Sequence, residues 1–162
     1  MNKRLILVGP TASGKNVLRD RLSKKGFTFD VSYTTRDIRL EVGEQDGIDY
    51  HYISDEKFEN MKTNNSFYEK VEYNGTQYGT GKEEWESSDV FIMEPAGIEC
   101  IKKEDRGSCF VIFINPPVDE RIRRMKEVRK WNNQQVLDRI KTDNNKFDGF
   151  DKYDIKITTP DF

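Results

Sequence analysis

The chain has 162 residues, of which 35% are charged, yet its 27 basic and 29 acidic side chains nearly cancel to a formal net of −2. That length fits one well-packed domain, and the balanced charge excludes a dedicated nucleic-acid binder, which carries a clear basic excess. The opening MNKRLILVGP holds an apolar run too short for a signal peptide or a membrane span, so a cytoplasmic protein without membrane or nucleic-acid partners is expected.

Leu5 to Val8 has the continuous apolar character of a buried parallel strand. The loop GPTASGKN, residues 9–16, follows it. NVLRDRLSKKG then reads as a helix with Val17, Leu18 and Leu22 on one face and Gly26 as its stop. Strand, glycine loop and helix, in that order, form the context in which G-x-x-x-x-G-K-[ST] cradles phosphate. Gly9, Pro10, Thr11, Ala12, Ser13, Gly14 and Lys15 would make the cradle. The amides of residues 11–15 would converge on the anion, the helix would add its positive end, and Lys15 would reach the β- and γ-phosphoryl oxygens. Asn16 stands where a hydroxyl residue normally meets the nucleotide's Mg2+. Its amide oxygen is a neutral ligand on a longer arm, which softens the metal contact without removing it.

SYTTRDIR, residues 32–39, sets Arg36 and Arg39 beside hydroxyl residues, an arrangement of planar forks suited to an oxyanion. From about Tyr33 to Thr80 the chain is aromatic and polar, with strand-type alternation, a short helix near DEKFENMKTN and a hairpin turn at Asn74–Gly75. An inserted subdomain of antiparallel strands is expected over 33–80, with 1–32 and 81–162 forming the core. DVFIMEP (89–95) and CFVIFINPP (109–117) are further apolar runs, joined by AGIECIKKEDRG, which reads as one helix. Such alternation implies crossovers and a parallel sheet. Residues 118–147 read as two helices meeting around Trp131–Asn133, carrying the basic island ERIRRMKEVRK, and YDIKITTP offers one more strand. Cys100 and Cys109 fit no metal or redox spacing and are expected as reduced core thiols, while His51, between Tyr50 and Tyr52, is expected to be structural.

Taken together, the phosphate loop, S-x-T-T-R-x-x-R (Ser32–Arg39), G-x-D-Y (Gly47–Tyr50), F-x-E (Phe67–Glu69), N-G-x-x-Y-G-T (Asn74–Thr80) and the late basic segment resemble the guanylate kinase family over residues 4–140. The resemblance implies an α/β P-loop nucleoside monophosphate kinase fold: a parallel core sheet, an inserted mixed-β subdomain that binds GMP, and a helical lid over about 118–147. It implies transfer of the ATP γ-phosphoryl group to GMP or dGMP, with ATP and Mg2+ as cofactors. Carried over residue by residue, Ser32, Arg36, Arg39, Tyr50 and Tyr78 would hold the acceptor's phosphate, and Tyr78 would also stack on the base. Glu69 would accept from guanine N1–H and N2–H2, and Thr80 would donate to O6. Adenine presents an acceptor at N1, which a carboxylate repels. Arg124 and Arg139 match the family's lid arginines, with Arg129 as a third; together with Lys15 and Arg36 they would supply the catalytic positive charge.

Some positions depart from the family. Its D-x-D-x-Q-G reads IMEPAG here, so Glu94 matches the second acid while Ile92 and Ala96 replace the first acid and the glutamine. Glu94 is left to contact the acceptor and the metal region. Thr158 and Thr159 stand where the family has an Asn/Asp-rich turn before a closing helix. Looser adenine recognition, a bare sheet face, a compact virus-type member, and either a monomer or a homodimer covering that face are therefore expected. Two other readings are weighed: a guanylate-kinase-like protein-binding module, disfavoured because Lys15 and the arginines are present, and a nucleoside monophosphate kinase with shifted base choice.

Overall fold

The computed structural model describes residues 3–73 and 75–159. Its strands are β1 (Arg4–Val8), β2 (Tyr33–Thr34), β3 (His51–Tyr52), β4 (Phe67–Tyr73), β5 (Thr76–Gly81), β6 (Val90–Ile92), β7 (Cys109–Ile114) and β8 (Ile155–Ile157). Its helices are α1 (Lys15–Ser23), α2 (Asp55–Thr63), α3 (Lys82–Ser87), α4 (Pro95–Glu99), α5 (Lys103–Arg106), α6 (Val118–Glu127) and α7 (Asn133–Phe147). None among the described residues is long and apolar enough to cross a membrane.

The apolar runs form a parallel sheet in the order β6-β1-β7-β8. Ile6, Leu7 and Val8 of the inner strand are fully buried, as a strand covered on both faces requires. On one face Ile6, Val8, Phe91, Val111 and Phe113 join Trp85, Ile98 and Ile101 in the core. Trp85 stacks on Tyr68 at 3.8 Å between centroids, with the Arg4 guanidinium 4.5 Å from its ring. At about 25 cal/mol per Å2 over roughly 150–250 Å2, enclosing such a ring contributes about 4–6 kcal/mol. On the opposite face Phe110 and Ile155 are 49% and 46% exposed. Helix α1 has no buried residue: Val17, expected on an inward face, is 47% exposed.

The second sheet has the order β3-β2-β5-β4. It is mixed rather than antiparallel throughout, because β2 and β3 run parallel. The long connection between them, with its 3-10 turn and the Asp46–Tyr50 bridge, provides the crossover that a parallel pair needs. β4 and β5 pair antiparallel around Gly75, which has a φ of 74°; Asn74, the other half of the expected turn, lies outside the described residues. Glu69 opposes Thr80 and Val71 opposes Tyr78, so these four side chains share one face of the sheet.

The helix expected over AGIECIKKEDRG is two short helices. The chain leaves α4 at Cys100, buries Ile101 to 8% exposure, and enters α5 through an extended Lys102 whose N–H donates to the Tyr68 hydroxyl. Cys100 consequently faces solvent, and only Cys109 is a core thiol. Helices α6 and α7 meet where the basic segment predicts, with Asn132 and Gln135 exchanging side-chain and backbone hydrogen bonds in a capping box.

Candidate active site

The β1, β6 and β7 C-terminal ends lie side by side, the edge at which open parallel sheets take ligands. The glycine loop leaves β1 there. A Cβ on Gly9 would stand 2.2 Å from the Ile114 carbonyl oxygen, so the loop can hug β7 only with glycine at that position. Ala12 and Gly14 adopt φ of 61° and 104°, turning the chain into α1. The first i→i−4 bond of that helix runs from Leu18 N–H to the Gly14 carbonyl, so the amides of Lys15, Asn16 and Val17 have no helical partner. Lys15 folds back along the loop, its Nζ donating to the Pro10 carbonyl at 3.0 Å and to that of Gly9. Burial lowers its pKa to about 8, against the opposing pull of Glu94 and Asp143. Asn16 is exposed at the loop's end.

One expected phosphate donor is already engaged. The Thr11 N–H donates to Asp143 Oδ2 at 2.9 Å, so it is not free to meet an anion alongside the amides that follow. Asp143 is 1% exposed and forms an ion pair with Arg121, itself 4% exposed, while Arg121 Nε donates to the Thr11 carbonyl at 2.9 Å. Arg139 donates to the Thr11 hydroxyl and lies 3.2 Å from Asp143 Oδ1. Arg124 points its guanidinium at the carbonyls of Ala12 and Ser13 at 3.3 and 3.4 Å. The helix pair thus grips the loop directly. Arg129 stands over Trp131 at 5.2 Å; burial holds its pKa below the ordinary value, with Arg39 and Arg139 adding repulsion.

Across the cleft, Arg36 and Arg39 converge on one carboxylate. Arg36 donates to both oxygens of Glu44 at 3.0 Å, Arg39 donates through its amide and guanidinium, and the Tyr52 hydroxyl adds a bond at 2.8 Å. Burial pushes the Glu44 carboxyl upward, but the hydrogen bonds from Arg39 and Tyr52 outweigh it and bring the pKa to about 2. Tyr50 and Tyr78 meet edge-on at 6.0 Å, and Arg36 lies 5.6 Å over the Tyr50 ring.

Glu69 is 9% exposed and accepts from the fully buried Thr80 hydroxyl at 2.8 Å through Oε1, while Oε2 is buried without a partner. Ser32 sits with this pair rather than with the arginines. Its hydroxyl donates to Asp30 at 2.5 Å and lies 3.5 Å from that of Thr80. Beside them a cleft of about 230 Å3 is lined by Val71, Tyr73, Tyr78, Glu94, Ala96 and Lys146. Lys146 spans it, 3.0 Å from Glu94 and 4.0 Å from the Tyr73 ring. A second cavity of about 480 Å3 adjoins the glycine loop, lined by Pro10, Phe113, Asn115, Arg121, Phe147 and Lys156 among others.

The family model for guanylate kinase matches residues 1–162. The chain belongs to the guanylate kinase family. Its relatives include the guanylate kinase of the Aster yellows witches'-broom phytoplasma, 33% identical over 95% of this chain and 78% of the relative. That of Oceanobacillus iheyensis is 31% identical over 94% and 77%. The solved guanylate kinase of Anaplasma phagocytophilum superimposes with a TM-score of 0.72 at 23% identity, covering 99% of this chain and 78% of that one, and shares the fold. Guanylate kinases are ATP:GMP phosphotransferases.

The family motifs do not point to Glu44, Asp143, Arg121, Lys146 or Asp30. Glu44 had a signal in charge logic, since two arginines close together in the chain call for a carboxylate nearby. Asp143 lies one helical turn after Arg139, the spacing of an i,i+4 pair. Arg121 looked like any other charge of the basic island, and neither Lys146 nor Asp30 had a visible partner in the sequence.

Proposed function

We propose that this guanylate kinase takes ATP along residues 9–16 and the cavity beside Pro10, takes GMP or dGMP in the cleft between β4–β5 and Glu94, and transfers the γ-phosphoryl group between them. The observation that carries the acceptor's identity is Glu69: a buried carboxylate with one oxygen fixed by Thr80 and the other bare calls for a donor edge, which guanine presents at N1–H and N2–H2. Arg36, Arg39, Tyr50 and Tyr78 would hold the acceptor phosphate, with Glu44 keeping the two guanidinium forks in register. An oxygen of that phosphate attacks the γ-phosphorus in line. The bond to the ADP oxygen breaks as the new P–O bond forms, and no proton need be removed because the attacking oxygen is anionic. Lys15, Arg124, Arg129 and Arg139 would balance charge on the transferring and leaving oxygens.

Mg2+ fits the donors at hand as an ion carried by the nucleotide. Among the described residues no three-member group of His, Cys, Asp or Glu could cage one, whereas Asn16 and Glu94 offer oxygens to an ion that keeps its waters and leans on phosphates. Bound there, it would neutralise phosphate charge. Two unpaired thiols suit a reducing cytoplasm, and the exposed Phe110 and Ile155 would accommodate a homodimer as well as a monomer.

ADP release measured across GMP, dGMP, AMP, CMP and dTMP tests the reading. Turnover is expected with GMP and dGMP alone, and Glu69→Ala should lose the guanine preference. If Glu69→Ala turned over GMP as the unmodified enzyme does, the base-reading assignment would be wrong.

A further inference from the structure

Lys146 stands in the cleft that Val71, Tyr73, Tyr78, Glu94 and Ala96 line, and the phosphoryl transfer does not call on it. Its side chain is 12% exposed, with Nζ 4.0 Å from the centre of the Tyr73 ring and 3.0 Å from Glu94 Oε2. That oxygen is buried and still receives no aligned hydrogen bond. The ammonium and the carboxylate attract each other without satisfying each other: one has N–H groups to give, the other a lone pair to fill. A hydroxyl placed between them would serve both, accepting from Lys146 and donating to Glu94.

The position of Glu94 along the acceptor decides which hydroxyl. Glu69 turns Oε1 toward Thr80, at the O6 end of the base, and a Cβ on Gly97 would stand 3.5 Å from its Oε2. The Gly97 N–H donates to the Glu94 carbonyl at 3.0 Å, so Glu94 follows on the amino side of the base. Toward the acceptor phosphate, burial raises the Tyr50 pKa and the Glu94 charge adds to the rise, which sets Glu94 near that end as well. Between the base and the phosphate of a nucleotide lies its sugar. Lys146 meets Glu94 from the side of Val71 and Tyr73, which share the Glu69 face of β4, and the sugar hydroxyl nearest the base is the 2′-OH. We infer that Lys146 is a specificity-determining residue for the acceptor's sugar: with Glu94 it holds the ribose 2′-OH and so favours GMP over dGMP. The inference rests on the acceptor nucleotide occupying this cleft.

Steady-state kinetics and calorimetric binding with GMP, dGMP and 3′-deoxy-GMP are compared for the unmodified enzyme, Lys146→Met and Lys146→Arg. A hydrogen bond to a charged group is at stake, so the unmodified enzyme should show a KM for dGMP roughly ten- to a hundredfold above that for GMP. The 3′-deoxy nucleotide should behave like GMP. Lys146→Met should raise KM for GMP toward that for dGMP and leave the latter within about twofold, with kcat little changed. Lys146→Arg keeps the charge and its donors and should retain most of the preference. Should Lys146→Met not fold, Lys146→Gln keeps the reach without the charge and should cut the preference at least severalfold. An unmodified enzyme that binds GMP and dGMP equally, equal losses of both in Lys146→Met, or a preference that survives there would overturn the role of Lys146. Discrimination against 3′-deoxy-GMP in place of dGMP would overturn the choice of hydroxyl. Binding of none of the three would refute the acceptor reading beneath it.

Discussion

Replacing Asp143 by alanine removes the anchor between the glycine loop and the helix pair. The carboxylate is 1% exposed and serves the Thr11 amide, the Thr11 hydroxyl, Arg121 and Arg139. Without it the Arg121 guanidinium, 4% exposed, keeps only the Thr11 carbonyl as a partner. Stranding one member of a buried ion pair costs about 3–5 kcal/mol, a large share of the roughly 5–15 kcal/mol that holds a typical domain folded. At about 2–4 °C per kcal/mol for a chain of this size, Tm should fall by about 6–20 °C. Differential scanning calorimetry reads this directly. Asp143→Ala combined with Arg121→Met should melt above the single variant, because the uncompensated charge leaves with its partner. KM for ATP should rise, since Thr11 and Arg139 lose their common support, while KM for GMP stays close to its original value. A single variant melting within about 2 °C of the unmodified enzyme, with KM for ATP unchanged, would refute this account of the loop.

Glu44→Gln removes the charge that fixes Arg36, Arg39 and Tyr52, so kcat/KM for GMP should drop by about tenfold or more; steady-state kinetics that show no drop would make Glu44 a bystander. The Lys15 pKa, lowered by burial to about 8, gives ATP binding a pH dependence. Phosphate oxygens favour the ammonium form and raise its pKa on binding, so affinity should hold steady below about pH 8 and decline above it, by up to tenfold per pH unit. Calorimetric titration at rising pH checks the sign, and Lys15→Met should abolish the decline; a flat profile would show that Lys15 does not meet the phosphates.

Where motif and local pattern coincided, the sequence was legible. The run before Gly9, the glycine loop and the helix after it came out in that order because a close-packed loop leaves little choice of residue. The two helices of the basic segment were readable for a similar reason, the cap at Asn132 being a local feature. Reading failed where a neighbour overrode the local signal. AGIECIKKEDRG has a helical pattern, but Ile101 is drawn into the core against Trp85 and its surroundings, which breaks the helix at Cys100. Antiparallel strands looked right for the insertion until the long return after β2 made its pairing with β3 parallel.

The sequence by itself determined the family and the parallel core, because these depend on residue types at fixed spacing. Only the tertiary structure decided how the charged side chains are held. Asp143 meets Thr11, Glu44 gathers two arginines, and Lys146 comes within reach of Glu94. The physical reason is that an ion pair or a buried acceptor is defined by distance in space, which no local pattern along the chain encodes.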